Sequence, residues 1–244
     1  MSKLTKRIAA AAITAAACIL VPAAASAGVV VAASGPSASS YPVGKKIGDS
    51  ERIVLRAGDS LTVLDGNGTR VLRGAGTFSL DQQAGPSRRS TFAVLTQRRS
   101  AARVRTGAVR TDETGPALPT SLWYVDIERP GRTCLAETER VRLWRASPEG
   151  DAIYTVRTAG GGGGQTVEFP DGGVLAPWDA VALPVAAGSE YSVSGPNGAV
   201  EGALSFVVLD AVPEEPEALA AQLIENGCTR QLELLSTATL IAEG

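Results

Sequence analysis

Hydrophobic positions in this chain come in short runs, and glycine, aspartate and asparagine break them at close intervals. After the apolar triplet Val29-Val30-Val31 and the loop residues 35–40, four runs follow in quick succession: Arg52-Ile53-Val54-Leu55, Leu61-Thr62-Val63-Leu64, Thr69-Arg70-Val71-Leu72 and Thr77-Phe78-Ser79-Leu80. Gly58-Asp59, Asp65-Gly66-Asn67-Gly68 and Gly74-Ala75-Gly76 separate them, and these residues tolerate the positive φ of tight hairpins. Short strands joined in this way predict a β-meander.

A polar, proline-bearing stretch at 111–120 marks a boundary, and strand signals resume beyond it. Leu122–Ile127 is followed by Val141-Arg142-Leu143-Trp144-Arg145, which sets apolar residues among cationic ones along one half-buried strand. Ile153–Arg157 and Gln165–Phe169 flank the glycines 160–164 and predict a hairpin with a flexible tip; Leu204–Leu209 closes the β-series. The tail then changes period. Glu214, Glu215 and Glu217 favour a helix start, Leu219, Leu223 and Ile224 share a face, and Gly227 is a stop. Thr229 is positioned to cap a second helix carrying Leu232, Leu235 and Leu240. The expected architecture is mainly β: a β-meander module over 28–97, an arginine-rich connector over 98–121, a β-sandwich over 122–210 and a helical hairpin over 211–244.

The amino terminus adds a compartment. Lys3, Lys6 and Arg7 precede an uncharged, alanine-rich run that ends in Ala25-Ser26-Ala27, the pattern of a secretory signal peptide over 1–27. Pro22 and the small residues after it keep the apolar core below the roughly 20 residues of a spanning helix. Lipidation at Cys18 is the alternative to cleavage before Gly28. After cleavage Cys134 and Cys228 remain, and an even count in an exported chain predicts a disulfide. Bridging so long a loop is worth about 4–5 kcal/mol on the chain-entropy account. The expected location is periplasmic or secreted, with no integral membrane segment after cleavage.

The chain contains no histidine. That removes Ser-His-Asp and Cys-His nucleophilic arrangements and histidine-ligated zinc or haem. The string Gly58-Asp59-Ser60-Leu61 spells the signature of a family of serine esterases, yet β-branched residues and another turn follow where those enzymes begin a helix. Ser60 is therefore read as a turn residue beside Asp59. The glycines 160–164 lack the Gly-Lys-Ser/Thr of a phosphate-binding loop. Asp171, Asp179, Glu190, Glu201 and Asp210 are scattered, although a carboxylate-only glycan hydrolase stays open as an alternative function. No catalytic residue, metal ligand set or cofactor is assigned.

Charge is uneven. Residues 28–110 carry 13 Lys/Arg against 5 Asp/Glu, while residues 111–244 carry 7 against 20. Arg88, Arg89, Arg98, Arg99, Arg103, Arg105 and Arg110 lie in a window free of acids between Asp81 and Asp112. Three readings stand: a solvated connector, pairing with the acidic half of the chain, or an external anion site centred on Arg98, Arg99, Arg103 and Arg105 that takes acidic lipid or polysaccharide. Nucleic acid is not the expected partner, because only Phe92 interrupts the run as a stacking residue.

Two stretches resemble known families. Pro42–Gly48, Ile53-Val54-Leu55, Ala57–Ser60, Val63–Gly68 and Leu72-Arg73-Gly74 resemble the periplasmic domain of the FecR family over roughly residues 29–96. The resemblance implies a non-catalytic extracytoplasmic β-domain that meets other envelope proteins. The cytoplasmic anti-sigma segment and membrane helix of the sensor members have no counterpart here. Leu183-Pro184 followed by Tyr191 resembles fibronectin-type and other immunoglobulin-like sandwiches, in which the tyrosine hydroxyl bonds back to the corner backbone. Together these imply an exported, non-enzymatic binding or scaffolding protein whose partner is an envelope protein or an acidic glycan or lipid.

Overall fold

A computed structural model describes residues 26–81, 88–97 and 117–240. Residues 1–25 of the stretch expected to be a signal peptide (1–27) and Arg98, Arg99, Arg103 and Arg105 lie outside the described residues. The chain is mainly β. The first half forms β1 (Ser26–Ser34), β2 (Lys46–Gly48), β3 (Ile53–Leu55), β4 (Ser60–Asp65), β5 (Gly68–Arg73) and β6 (Gly76–Phe78). A short helix, α1 (Arg89–Thr96), follows. The second half forms β7 (Tyr124–Asp126), β8 (Arg132–Leu135), β9 (Arg142–Trp144), β10 (Ala152–Thr158), β11 (Gly164–Phe169), β12 (Leu175–Pro177), β13 (Glu190–Ser194) and β14 (Glu201–Val208). Two helices close it, α2 (Pro216–Glu225) and α3 (Thr229–Ala238).

The N-terminal strands make a sheet of order β2-β1-β4-β5 beside a β3-β6 pair. Asp65 sets the β4–β5 turn, since its Oδ1 accepts from the amides of Asn67 and Gly68 at 2.7 and 3.1 Å. Asp65 Oδ2 also takes a buried ion pair from Arg70 at 2.6 Å. The loop after β1 is tied down by Asp59, whose carboxylate accepts from the amides of Ser37 and Arg56 at 2.9 and 2.5 Å. Tyr41 stitches the same module together, its hydroxyl receiving the Val54 amide at 2.8 Å. Between Val30 and Ala32 the β1–β4 register slips, and Val31 is the extra residue of this bulge.

The C-terminal strands form a five-stranded sheet, β11-β10-β13-β14-β8, and a three-stranded sheet, β12-β9-β7. Tyr154, Val156, Phe169, Tyr191, Val193 and Phe206 of the larger sheet share one core with Leu143 and Trp178. Trp178 meets Tyr191 and Phe206 edge-on at centroid distances of 5.1 and 5.3 Å. The Tyr191 hydroxyl donates to the Pro184 carbonyl at 2.7 Å, the bond implied by the Leu/Pro corner. Two pairings, β7 with β9 and β8 with β14, are parallel.

Gly227, at φ +70, stops α2, and the amides of Gly227 and Cys228 return to the carbonyls of Ile224 and Leu223. Two details of the predicted tail change. Cys228, not Thr229, holds the N-cap position of α3, with no side-chain cap bond. Leu240 lies past the end of α3 and is 43% exposed, so it is not part of that helix's apolar face.

The hairpin α2–α3 does more than cover the sandwich. Leu219, Leu223, Leu232 and Leu235 enter one cluster with Val29, Val31 and Leu64 of the N-terminal sheet, Phe92 and Leu95 of α1, and Leu122, Cys134 and Leu209 of the C-terminal half. α2 packs on β1 and β4, while α3 packs on β5, β8 and α1. β1 is therefore apolar on both faces: Val30 points into the N-terminal core and Val29 and Val31 into the helices. The two β-modules are joined through this hairpin.

Candidate interaction groove at the module junction

Where the modules meet, the geometry starts from Cys134 and Cys228. They form a disulfide, fully buried, that ties β8 to the bend between α2 and α3. Beside it the Gln231 side chain acts as a strand partner for β8. Its Oε1 accepts from the Cys134 amide at 2.6 Å, and its Nε2 donates to the carbonyls of Cys134 and Leu122 at 2.8 and 2.9 Å. Gln231 is 5% exposed, so these groups have no water to fall back on. Gln231→Leu is expected to cost about 2–4 kcal/mol, because three buried backbone groups lose their partner at once. Urea unfolding followed by tryptophan fluorescence measures this; an unchanged midpoint would show that the edge of β8 finds another partner.

On the far side of the hairpin an open groove of ≈ 610 Å³ runs between α1, the β4–β5 turn and the start of α2. Phe92, Ala93 and Thr96 form one wall, Val212 to Glu217 the other, and Gly66 and Arg89 the end. Arg89 Nε donates to the Gly66 carbonyl at 2.9 Å. Arg88 is tied in as well, its amide donating to the Asn67 carbonyl at 2.6 Å. The described end of the arginine run is thus built into the junction, facing the acidic start of α2. Burial raises the carboxyl pKa of Glu217 above its ordinary value, and neighbouring Asp65 and Glu215 push in the same direction against Arg89. Helix α1, which positions this wall, was not foreseen in the sequence; Phe92 and Leu95, three residues apart, are its buried contribution.

Other sequence candidates separate. Ser60 opens strand β4, and no helix follows it. Asp171 Oδ1 accepts from the Gly150 amide and Asp179 Oδ1 from the amides of Val181 and Ala182, so both act as turn acceptors. Glu190 and Glu201 stand exposed at opposite ends of the β13–β14 ribbon. Among the described residues no group of three metal-ligating side chains converges, and no helix is long and apolar enough to cross a membrane. Asp59 beside Ser60 carries a carboxyl held below its ordinary pKa, chiefly by the hydrogen bond with the Ser37 side chain, with backbone amides of Ser37 and Arg56 adding to it. A depressed folded-state pKa gives stability that is complete above the unfolded value and lost as pH falls through the folded one. Asp59→Asn should therefore be less stable at neutral pH and flatter in its acid limb. Thermal melts from pH 7 down to about pH 3, below the ordinary aspartate value, check this; parallel curves would contradict it.

Compared with known protein families, curated proteins and solved structures, the chain matches none of them. The FecR-like and immunoglobulin-like resemblances stand on the residues quoted for them alone.

Proposed function

We propose that this chain is an exported, non-enzymatic envelope protein that binds or scaffolds a partner in a periplasmic or cell-surface assembly. The observation that carries the reading is the junction. One apolar cluster joins both β-modules through a helical hairpin that a buried disulfide fastens. A disulfide suits an oxidising compartment, and fixed relative placement of two modules is what a scaffold uses to present one composite surface. The chain's lack of histidine agrees, since it withdraws the commonest general base.

Within this reading the groove between α1 and α2 is the partner site, and its exposed rim of Glu214 and Glu215 selects a cationic segment. The test is a photo-crosslinker in whole cells, placed at Ala93 on the groove wall and, as a control, at Glu149 on a distant turn. One reproducible envelope adduct at Ala93 and none at Glu149 is expected. Fractionation of the chain to the cytoplasm, or no adduct at Ala93, would count against the proposal.

A further inference from the structure

The open edge of β11 is a second surface, independent of the groove. Two other edges carry partners at one point each: Gln231 bonds the Cys134 backbone of β8, and on β5 the amide of Thr69 donates to the Thr239 carbonyl. β11 is an end strand of the five-stranded sheet, and its register with β10 runs unbroken from Arg157 opposite Gly164 to Ala152 opposite Phe169. The Thr158 amide donates to the Gly163 carbonyl, which fixes the alternation. Gln165, Val167 and Phe169 direct their backbone groups toward β10, and Gly164, Thr166 and Glu168 direct theirs away from it. No lysine, proline or bulge inside Gly164–Phe169 blunts this edge.

We propose that β11 pairs antiparallel with β11 of a second copy of this chain about a two-fold axis through Thr166. Only residues of the same parity offer outward groups, so Thr166 faces Thr166 and Gly164 faces Glu168 of the second copy, and each outward N–H meets an outward C=O. The charges fit that register. Arg157 lies opposite Gly164 on β10, and its Cγ would sit only 2.9 Å from a Cβ placed on Gly164, so the side chain passes over the glycine. Beyond Gly164 in the same row comes Glu168 of the second copy, two strand spacings or about 10 Å from Arg157. Glycine leaves that row clear. The symmetric contact repeats it, which gives two Arg157–Glu168 pairs and a continuous sheet across both copies. Arg157, Thr166 and Glu168 are all exposed in the single chain.

Sedimentation velocity of the purified protein from about 1 µM to about 1 mM tests the proposal, a range suited to a small interface. The weight-average sedimentation coefficient is expected to rise toward that of a dimer. Arg157→Glu and Glu168→Arg should each weaken association about tenfold or more, and the double exchange should restore it. Thr166→Pro removes an outward donor and no bond to β10, so the fold survives and association is lost. A chain that stays monomeric throughout, even one that accepts another protein's strand, overturns self-pairing. So does association that none of these variants changes.

Discussion

Replacing Cys134 and Cys228 together with alanine is expected to lower stability by about 4–5 kcal/mol, the chain-entropy cost of releasing so long a loop. The bridge spans 94 residues in sequence. For a chain of this size that corresponds to a fall in melting temperature of roughly 8–20 °C. The location makes the consequence wider than the bond. The disulfide ties β8 to the turn between α2 and α3, and those helices hold Val29, Val31 and Leu64 of the N-terminal sheet. Loss of the bridge should therefore loosen both β-modules, not just the sandwich. Differential scanning calorimetry of the variant under non-reducing conditions measures the shift; a melting temperature unchanged from the parent would show that the bridge adds nothing to the junction.

The second large effect is expected at Arg145. This side chain is 2% exposed, and its neighbours supply carbonyls instead of a carboxylate. Nε donates to Gly173 at 2.7 Å, while Nη2 reaches Gly150 at 2.8 Å, Pro170 at 2.9 Å and Pro148 at 3.3 Å. The guanidinium also stacks over Phe169 with its carbon 5.3 Å from the ring centroid. One cation thereby fixes the turns at 148–150 and 170–173. Arg145→Met should cost about 3–5 kcal/mol, since several buried carbonyls lose charge-assisted bonds together. Arg145→Lys should recover little of this, because a single ammonium lacks the planar fork. Urea midpoints read by Trp123, Trp144 and Trp178, all in the C-terminal half, give the result. A lysine variant as stable as the parent would mean that charge alone suffices.

The pattern of apolar residues among cations from Val141 to Arg145 predicts one half-buried strand. Val141, Leu143, Trp144 and Arg145 are all buried, so both faces of this segment are covered and alternation alone does not place Arg145. The turns were legible because their residue types carry the backbone chemistry directly: Asp65 and Asp59 do hold the amides that turns leave open. The helical tail was legible from its change of period and from Gly227. Helix α1 was not, because eight residues with two buried apolar side chains give too little periodicity to separate from a connector. Strand β8 escaped for a similar reason, and its partner Gln231 sits 97 residues away, where no local pattern points to it. The joining of the modules was written in Val29-Val30-Val31 and in Leu64, apolar on both strand faces, but only the fold shows what covers the second face.

The α2–α3 hairpin makes both β-modules one cooperative unit. Hydrogen exchange followed by mass spectrometry across a urea series tests it directly, comparing peptides from β4–β5 with peptides from β13–β14. Both are expected to lose protection at the same urea concentration, and Leu223→Ala is expected to shift them together. Protection lost in β4–β5 well before β13–β14, with only one of them responding to Leu223→Ala, would contradict it.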